Sequence, residues 1–173
     1  KNIKIEKILF KNGKNKIELD NILLNKDLKV LNLLKAKFDY FDNENIKNYF
    51  QISNKDKSYS LEGSLLNANS FIENLLSNDD DNSFPFKNRF NLNVNLEQVR
   101  LDEEFTINNF KGILTFKENT FAQANLGGSF NNEKKIKITI NSTDNEKITT
   151  LFSDYAKPFV KRYKFIKGFD GGS

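Results

Sequence analysis

The stretch from Phe90 to Ile140 constrains this chain most: it holds four short runs in which apolar and polar residues alternate. The clearest is Arg89 to Glu97, where Phe90, Leu92, Val94 and Leu96 alternate with Arg89, Asn91, Asn93, Asn95 and Glu97. Period-two alternation is the mark of a strand with one apolar and one wetted face. Three further runs follow at hairpin spacing. Phe105 to Phe116 carries Phe110, Gly112, Leu114 and Phe116; Phe121 to Phe130 carries Ala122, Ala124, Leu126, Gly128 and Phe130. Lys135 to Asn141 sets Ile136, Ile138 and Ile140 against Lys135, Lys137, Thr139 and Asn141. The connections Asp102-Glu103-Glu104, Glu118-Asn119-Thr120 and Asn131-Asn132-Glu133 have turn chemistry. The pattern predicts an antiparallel meander whose apolar face must be covered.

The residues before Phe90 extend the pattern. Asn2 to Phe10, Lys16 to Leu24, Leu28 to Tyr40, Asn48 to Ser53 and Ser58 to Leu66 read as strands, separated by polar turns such as Lys11-Asn12-Gly13-Lys14 and Asn54-Lys55-Asp56-Lys57. Leu31, Leu33 and Leu34 put apolar groups on both faces, which suits a strand buried on two sides but also suits a helix. Two helices are expected. Asn69 or Ser70 caps the first, through Leu76, with Phe71, Ile72, Leu75 and Leu76 at helical spacing. The second covers Asn145 to Tyr163, with Ile148, Leu151, Phe152, Tyr155, Phe159 and Val160 on one face and a kink or split at Pro158. The expected fold is therefore mainly β: a curved antiparallel meander of about eight or nine strands, with two short helices on or beside the sheet.

At 173 residues the chain suits a single domain, 1–173, with sub-units 1–68 and 86–173 joined by the 69–85 helix and loop as the alternative division. Seventeen Phe against five Tyr and no Trp give it ample apolar material for a core. The net charge of +4 comes from interspersed Lys and acidic residues without a basic block, so no nucleic-acid partner is expected. The chain has no Cys and no His, which removes thiolate chemistry and the commonest general base and metal ligand. It has no Met and begins at Lys1, which reads as a segment excised from a longer protein. No apolar run reaches the roughly 18 residues of a transmembrane helix.

Each motif with chemical potential has a plainer reading. Asp79-Asp80-Asp81 lacks the spaced ligands and glycine of a calcium loop and reads as a solvated loop. Gly127-Gly128-Ser129 lies inside a strand, where it marks a bulge or a close approach rather than a phosphate cradle. Ser153, Asp154 and Lys157 come without an oxyanion hole. Asn141-Ser142-Thr143 matches a glycosylation triplet but implies nothing without a secretory context. No enzyme, cofactor or metal site is expected.

The order of several weak motifs resembles a family. Tyr49-Phe50-Gln51-Ile52, then Tyr59-Ser60-Leu61-Glu62-Gly63, then Asn67 to Leu76 with its Leu-Leu pair, is similar to a recurring segment of AsmA-like bacterial envelope proteins, the group of AsmA, TamB and YhdP. The likeness continues through Phe90 to Val99, Asn109-Phe110-Lys111-Gly112 and Ala124 to Phe130. It ends with Ser153-Asp154-Tyr155-Ala156 and Gly168 to Gly172. It covers most of the chain from Tyr49 onward and departs where the family tends to Asp-Ala-Gly and this chain has Asp154-Tyr155-Ala156. The resemblance implies a periplasmic segment of a parent anchored in the bacterial inner membrane, with a β-rich groove along which phospholipids move between the two membranes. Phe90, Leu92, Val94, Leu96, Leu114, Phe116, Leu126, Ile136 and Ile138 would line that groove. The implied partners are phospholipid and neighbouring β segments of the same parent chain, with membrane contact made by other parts of the parent. The alternative is a structural or interaction module whose apolar face is a closed core, because groove and core demand the same sequence pattern.

Overall fold

The computed structural model describes residues 1–55, 58–69, 89–117, 120–143 and 146–163. Its strands are β1 (Ile3–Asn12), β2 (Asn15–Leu24), β3 (Val30–Phe41), β4 (Lys47–Lys55), β5 (Ser58–Asn67), β6 (Phe90–Arg100), β7 (Thr106–Lys117), β8 (Thr120–Phe130), β9 (Lys135–Ser142) and β10 (Lys147–Ser153). A short helix, α1 (Lys157–Tyr163), follows. All ten strands belong to one sheet whose spatial order is the chain order. The mainly β reading and the strand positions expected between residues 2 and 141 agree with this architecture.

Two expectations change. The sheet is mixed: β5 and β6 run parallel, Ser58 opposite Asn91 through Asn67 opposite Arg100, while every other neighbouring pair is antiparallel. A parallel pair needs a long crossover, and most of the chain between β5 and β6, residues 70–88, lies outside the described residues. The second correction is a tenth strand where helix was expected. Lys147 to Ser153 pairs with β9, and the helix is confined to Lys157–Tyr163. The apolar spacing of Ile148, Leu151 and Phe152 is compatible with a helix. The β-branched Ile148, Thr149 and Thr150, however, suit a strand, and β9 offers a backbone ladder that an exposed helix would leave empty. Pro158 then falls in the first turn of α1, where its missing N–H costs no helical bond. A register shift between Thr115 and Phe116 sets Phe121 opposite Phe116 where β7 meets β8. The helix expected over Asn69–Leu76 lies, beyond Asn69, outside the described residues, as do Asp79-Asp80-Asp81 and the expected Gly168–Gly172 turn.

The register explains why the strands stack in this way. Directly paired residues share a face of the sheet, and one row crosses all ten strands: Ile8, Leu19, Ala36, Ile52, Leu61, Val94, Gly112, Leu126, Ile138 and Leu151. Every member is apolar. The adjacent row on the other face runs Lys7, Asp20, Lys35, Ser53, Ser60, Asn93, Ile113, Asn125, Thr139 and Thr150, polar except at Ile113. At the β1–β2 end of that face Glu18 bonds Lys16 at 2.7 Å and also meets Lys7. Its hydrogen bonds to Lys16 and Lys7 hold the carboxyl down at about 2.

The core sits under β5 to β9. Ala68, Val94, Leu96, Val99, Leu101, Phe105, Ile107, Leu126, Phe130 and Ile136 form one buried cluster, with Tyr155 and Phe159 packed against it from beyond β10. The turn from β3 to β4 is tied in separately. Asp42 Oδ1 accepts from the backbone N–H groups of Glu44 and Ile46, both at 3.0 Å, and Oδ2 accepts from Asn48 at 3.0 Å and Asn67 at 2.7 Å. Asn48, fully buried, in turn accepts from the Asn67 N–H at 2.7 Å, which joins the start of β4 to the end of β5.

Candidate functional site: the apolar face of the sheet

The nine residues expected to line an apolar surface do share one face, because their strands pair in step. Phe90 faces Phe116, Leu92 faces Leu114, Val94 faces Gly112 and Leu96 faces Phe110 across β6 and β7. Gly112 faces Leu126, Leu126 faces Ile138, and Gly128 faces Ile136 on the way to β9. Their exposure is graded along the strands. Leu96 (1% exposed), Ile136 (2%), Val94, Phe116 and Leu126 (7%) are buried, whereas Phe90, Leu92, Leu114 and Ile138 are half-buried. The polar face behaves as expected: Asn91, Asn93, Asn95, Lys135 and Lys137 are exposed.

The two ends of the stripe differ. At one end Tyr155 sets its ring edge-on to Phe105 (5.8 Å) and Phe130 (5.6 Å), and Phe159 approaches Phe130 at 6.2 Å. Ser153 makes this placement possible: its hydroxyl donates to the Tyr155 carbonyl at 2.8 Å and accepts from the Tyr155 N–H at 3.1 Å. Asp154 Oδ2 accepts from the Lys135 N–H at 3.1 Å and secures the same turn to β9. Ser153 and Asp154 are thus engaged in shaping a turn. At the other end Phe90 stacks on Phe116 at 4.6 Å, with Tyr59 edge-on to Phe90 at 5.3 Å. Burial there raises the ionisation point of the Tyr59 hydroxyl, as expected for a phenol drawn into apolar surroundings.

Glycines let neighbouring strands lie close across this face. Gly112 has φ +147°, and a Cβ there would collide with the Asn125 carbonyl oxygen. A Cβ on Gly128 would fall 2.5 Å from Ile107 Cγ2. The Gly127-Gly128-Ser129 sequence is therefore a close-packing site, as its position inside a strand implied.

Sequence reasoning missed half of the buried cluster. Phe105 and Ile107 fall out of phase with Phe110–Phe116 because β7 bulges between Asn108 and Lys111, where Asn109 adopts φ 51°; Val99, opposite Ile107, and Leu101 are out of phase with Phe90–Leu96 on β6. Such a bulge resets the alternation, and an Asn before an aromatic is its only trace in sequence. Phe50, Leu61 and Leu66, which pack against the cluster, lay in strands that were recognised but not assigned to this face.

The polar face carries a shallow depression of about 620 Å³ lined by Lys16, Glu18, Lys37, Tyr49, Gln51 and Glu62 among others. A smaller one of about 210 Å³ lies at the closed end of the apolar stripe, beside Phe105, Phe130 and Tyr155. Among the described residues no group of three or more carboxylates could hold a metal ion, and no helix is long and apolar enough to cross a membrane. No protein-family model, curated protein or solved structure matches the chain.

Proposed function

We propose that this chain is a non-enzymatic, lipid-binding segment of an AsmA-like periplasmic bridge, in which the apolar face of a curved sheet holds phospholipid acyl chains. The observation that supports this reading is the apolar row running from Ile8 to Leu151 without a polar interruption. At about 4.8 Å per strand the row spans roughly 43 Å, and it runs across the strands, the direction in which added strands would lengthen it. Each buried CH₂ contributes about 0.8 kcal/mol, so such a face can retain an acyl chain without a polar site. The half-buried residues Phe90, Leu92, Leu114 and Ile138 are the ones placed to touch lipid; Leu96 and Ile136 support them from beneath.

The second reading is a structural module with a closed core, and the closure of one end by Tyr155 and Phe159 favours it. Two variants separate the readings. Leu92→Asp, at a half-buried position, keeps the β-sheet circular dichroism spectrum but loses phospholipid detected by extraction and mass spectrometry, and blocks transport by the parent protein. Leu126→Asp buries a carboxylate without a partner, costs several kcal/mol and unfolds the domain. Wild-type protein that carries no phospholipid, or a Leu92→Asp variant that unfolds like Leu126→Asp, would overturn the lipid reading in favour of the closed core.

A further inference from the structure

The two ends of the sheet are unlike. Among the described residues the strand order stops at β1 on one side and β10 on the other. An edge strand presents a row of backbone donors and acceptors that can pair with another strand, and lysines along an edge discourage this. β1 is guarded in that manner by Lys4, Lys7 and Lys11. β10 is not: after Lys147 it reads Ile-Thr-Thr-Leu-Phe-Ser, without charge or proline. Ile148 (52% exposed), Leu151 (42%) and Phe152 (56%) stand open to solvent on it.

We propose that β10 pairs antiparallel with β10 of a second copy of this chain, about a two-fold axis at Thr150. The sequence of the strand selects this occupant. Centred on Thr150, the pairing sets Thr150 against its own copy, Ile148 against Phe152, Thr149 against Leu151 and Lys147 against Ser153. No like charges face each other within the strand, and aliphatic–aromatic pairs form on both sides of the axis. The register with β9 gives the faces: Ile148, Thr150 and Phe152 lie on the polar side opposite Asn141, Thr139 and Lys137, and Leu151 lies on the apolar side opposite Ile138. A two-fold axis normal to the sheet keeps the like faces of both copies together. Ile148 and Phe152 of each copy then cover one another around the Thr150 pair, and the apolar face continues across the joint. The contact is isologous and uses the edge once, so assembly stops at two. This inference rests on β10 alone and is independent of lipid binding.

Sedimentation velocity of the full chain should show a concentration-dependent monomer–dimer equilibrium. Thr150→Lys, which sets two ammonium groups face to face at the axis, should abolish the dimer while leaving the circular dichroism spectrum unchanged. Because the chain has no cysteine, Thr150→Cys supplies a single thiol. Its two copies would lie about 4.5–5.5 Å apart at Cα, within disulfide range, and mild oxidation should give a covalent dimer. Asn141→Cys, on the same face but one strand inward, should not cross-link. A chain that stays monomeric at high micromolar concentration, a Thr150→Lys variant that still dimerises, open-ended polymers, or a dimer that Thr150→Cys fails to cross-link would each overturn the pairing.

Discussion

Asn91 and Asn95 are neighbours on the polar side of β6, both exposed, and a pattern-based reading treats them alike. The structure separates them. Asn91 accepts from the Thr115 hydroxyl at 3.0 Å, and Thr115 is buried (6% exposed). Asn91→Ala removes that acceptor and should cost roughly 1–3 kcal/mol, whereas Asn95→Ala should stay within about 0.5 kcal/mol; urea denaturation of the two variants measures the difference. Asp42 is the other residue whose weight comes from its partners. Burial opposes its ionisation, but hydrogen bonds from Asn67, the Ile46 N–H, Asn48 and the Glu44 N–H outweigh burial and hold the carboxyl below its ordinary value. A depressed carboxyl stabilises the fold above its unfolded-state pKa, near 4, and that contribution disappears as pH falls through the lower folded value. Stability should therefore drop below about pH 4 in the wild type and less steeply in Asp42→Asn, as read from urea midpoints across that range.

At the scale of elements, the informative case is the segment from Lys147 to Tyr163. Its apolar spacing satisfies a helix until the edge of β9 is considered, and that edge exists only once the preceding strands have assembled. Helical stability is mostly packing, and a helix over residues 147–153 would have left the β9 edge unpaired. Pro158 distinguishes the two arrangements experimentally. In the first turn of α1 it interrupts nothing, so Pro158→Ala should change stability by no more than about 1 kcal/mol. A gain near 3 kcal/mol on thermal denaturation, the cost of a proline inside a helix, would mean that it breaks a longer helix. The bulge at Asn108–Lys111 is the converse case, in which a single left-handed residue, Asn109, moves the apolar positions of β7 by one place.

At the scale of the whole molecule, the ten-strand rows are the organising fact. Nine of the ten strands and the wet and apolar sides of β6, β8 and β9 were legible from alternation, because a side chain's face depends only on its place in the pleat. The nine apolar positions proposed for lipid contact were legible for the same reason, since hairpin neighbours pair in sequence order. Alternation does not encode a strand's partner or direction, because backbone donors and acceptors are the same in every strand. The parallel pairing of β5 with β6 is therefore not legible in either strand's alternation, and the recruitment of β10 depends on an edge made by residues distant in the chain. Which apolar residues become sealed was likewise a tertiary decision. Leu92 and Leu96 are equivalent in the sequence of β6, but Leu96 lies in the buried cluster against which Tyr155 and Phe159 pack, and Leu92 remains half-open.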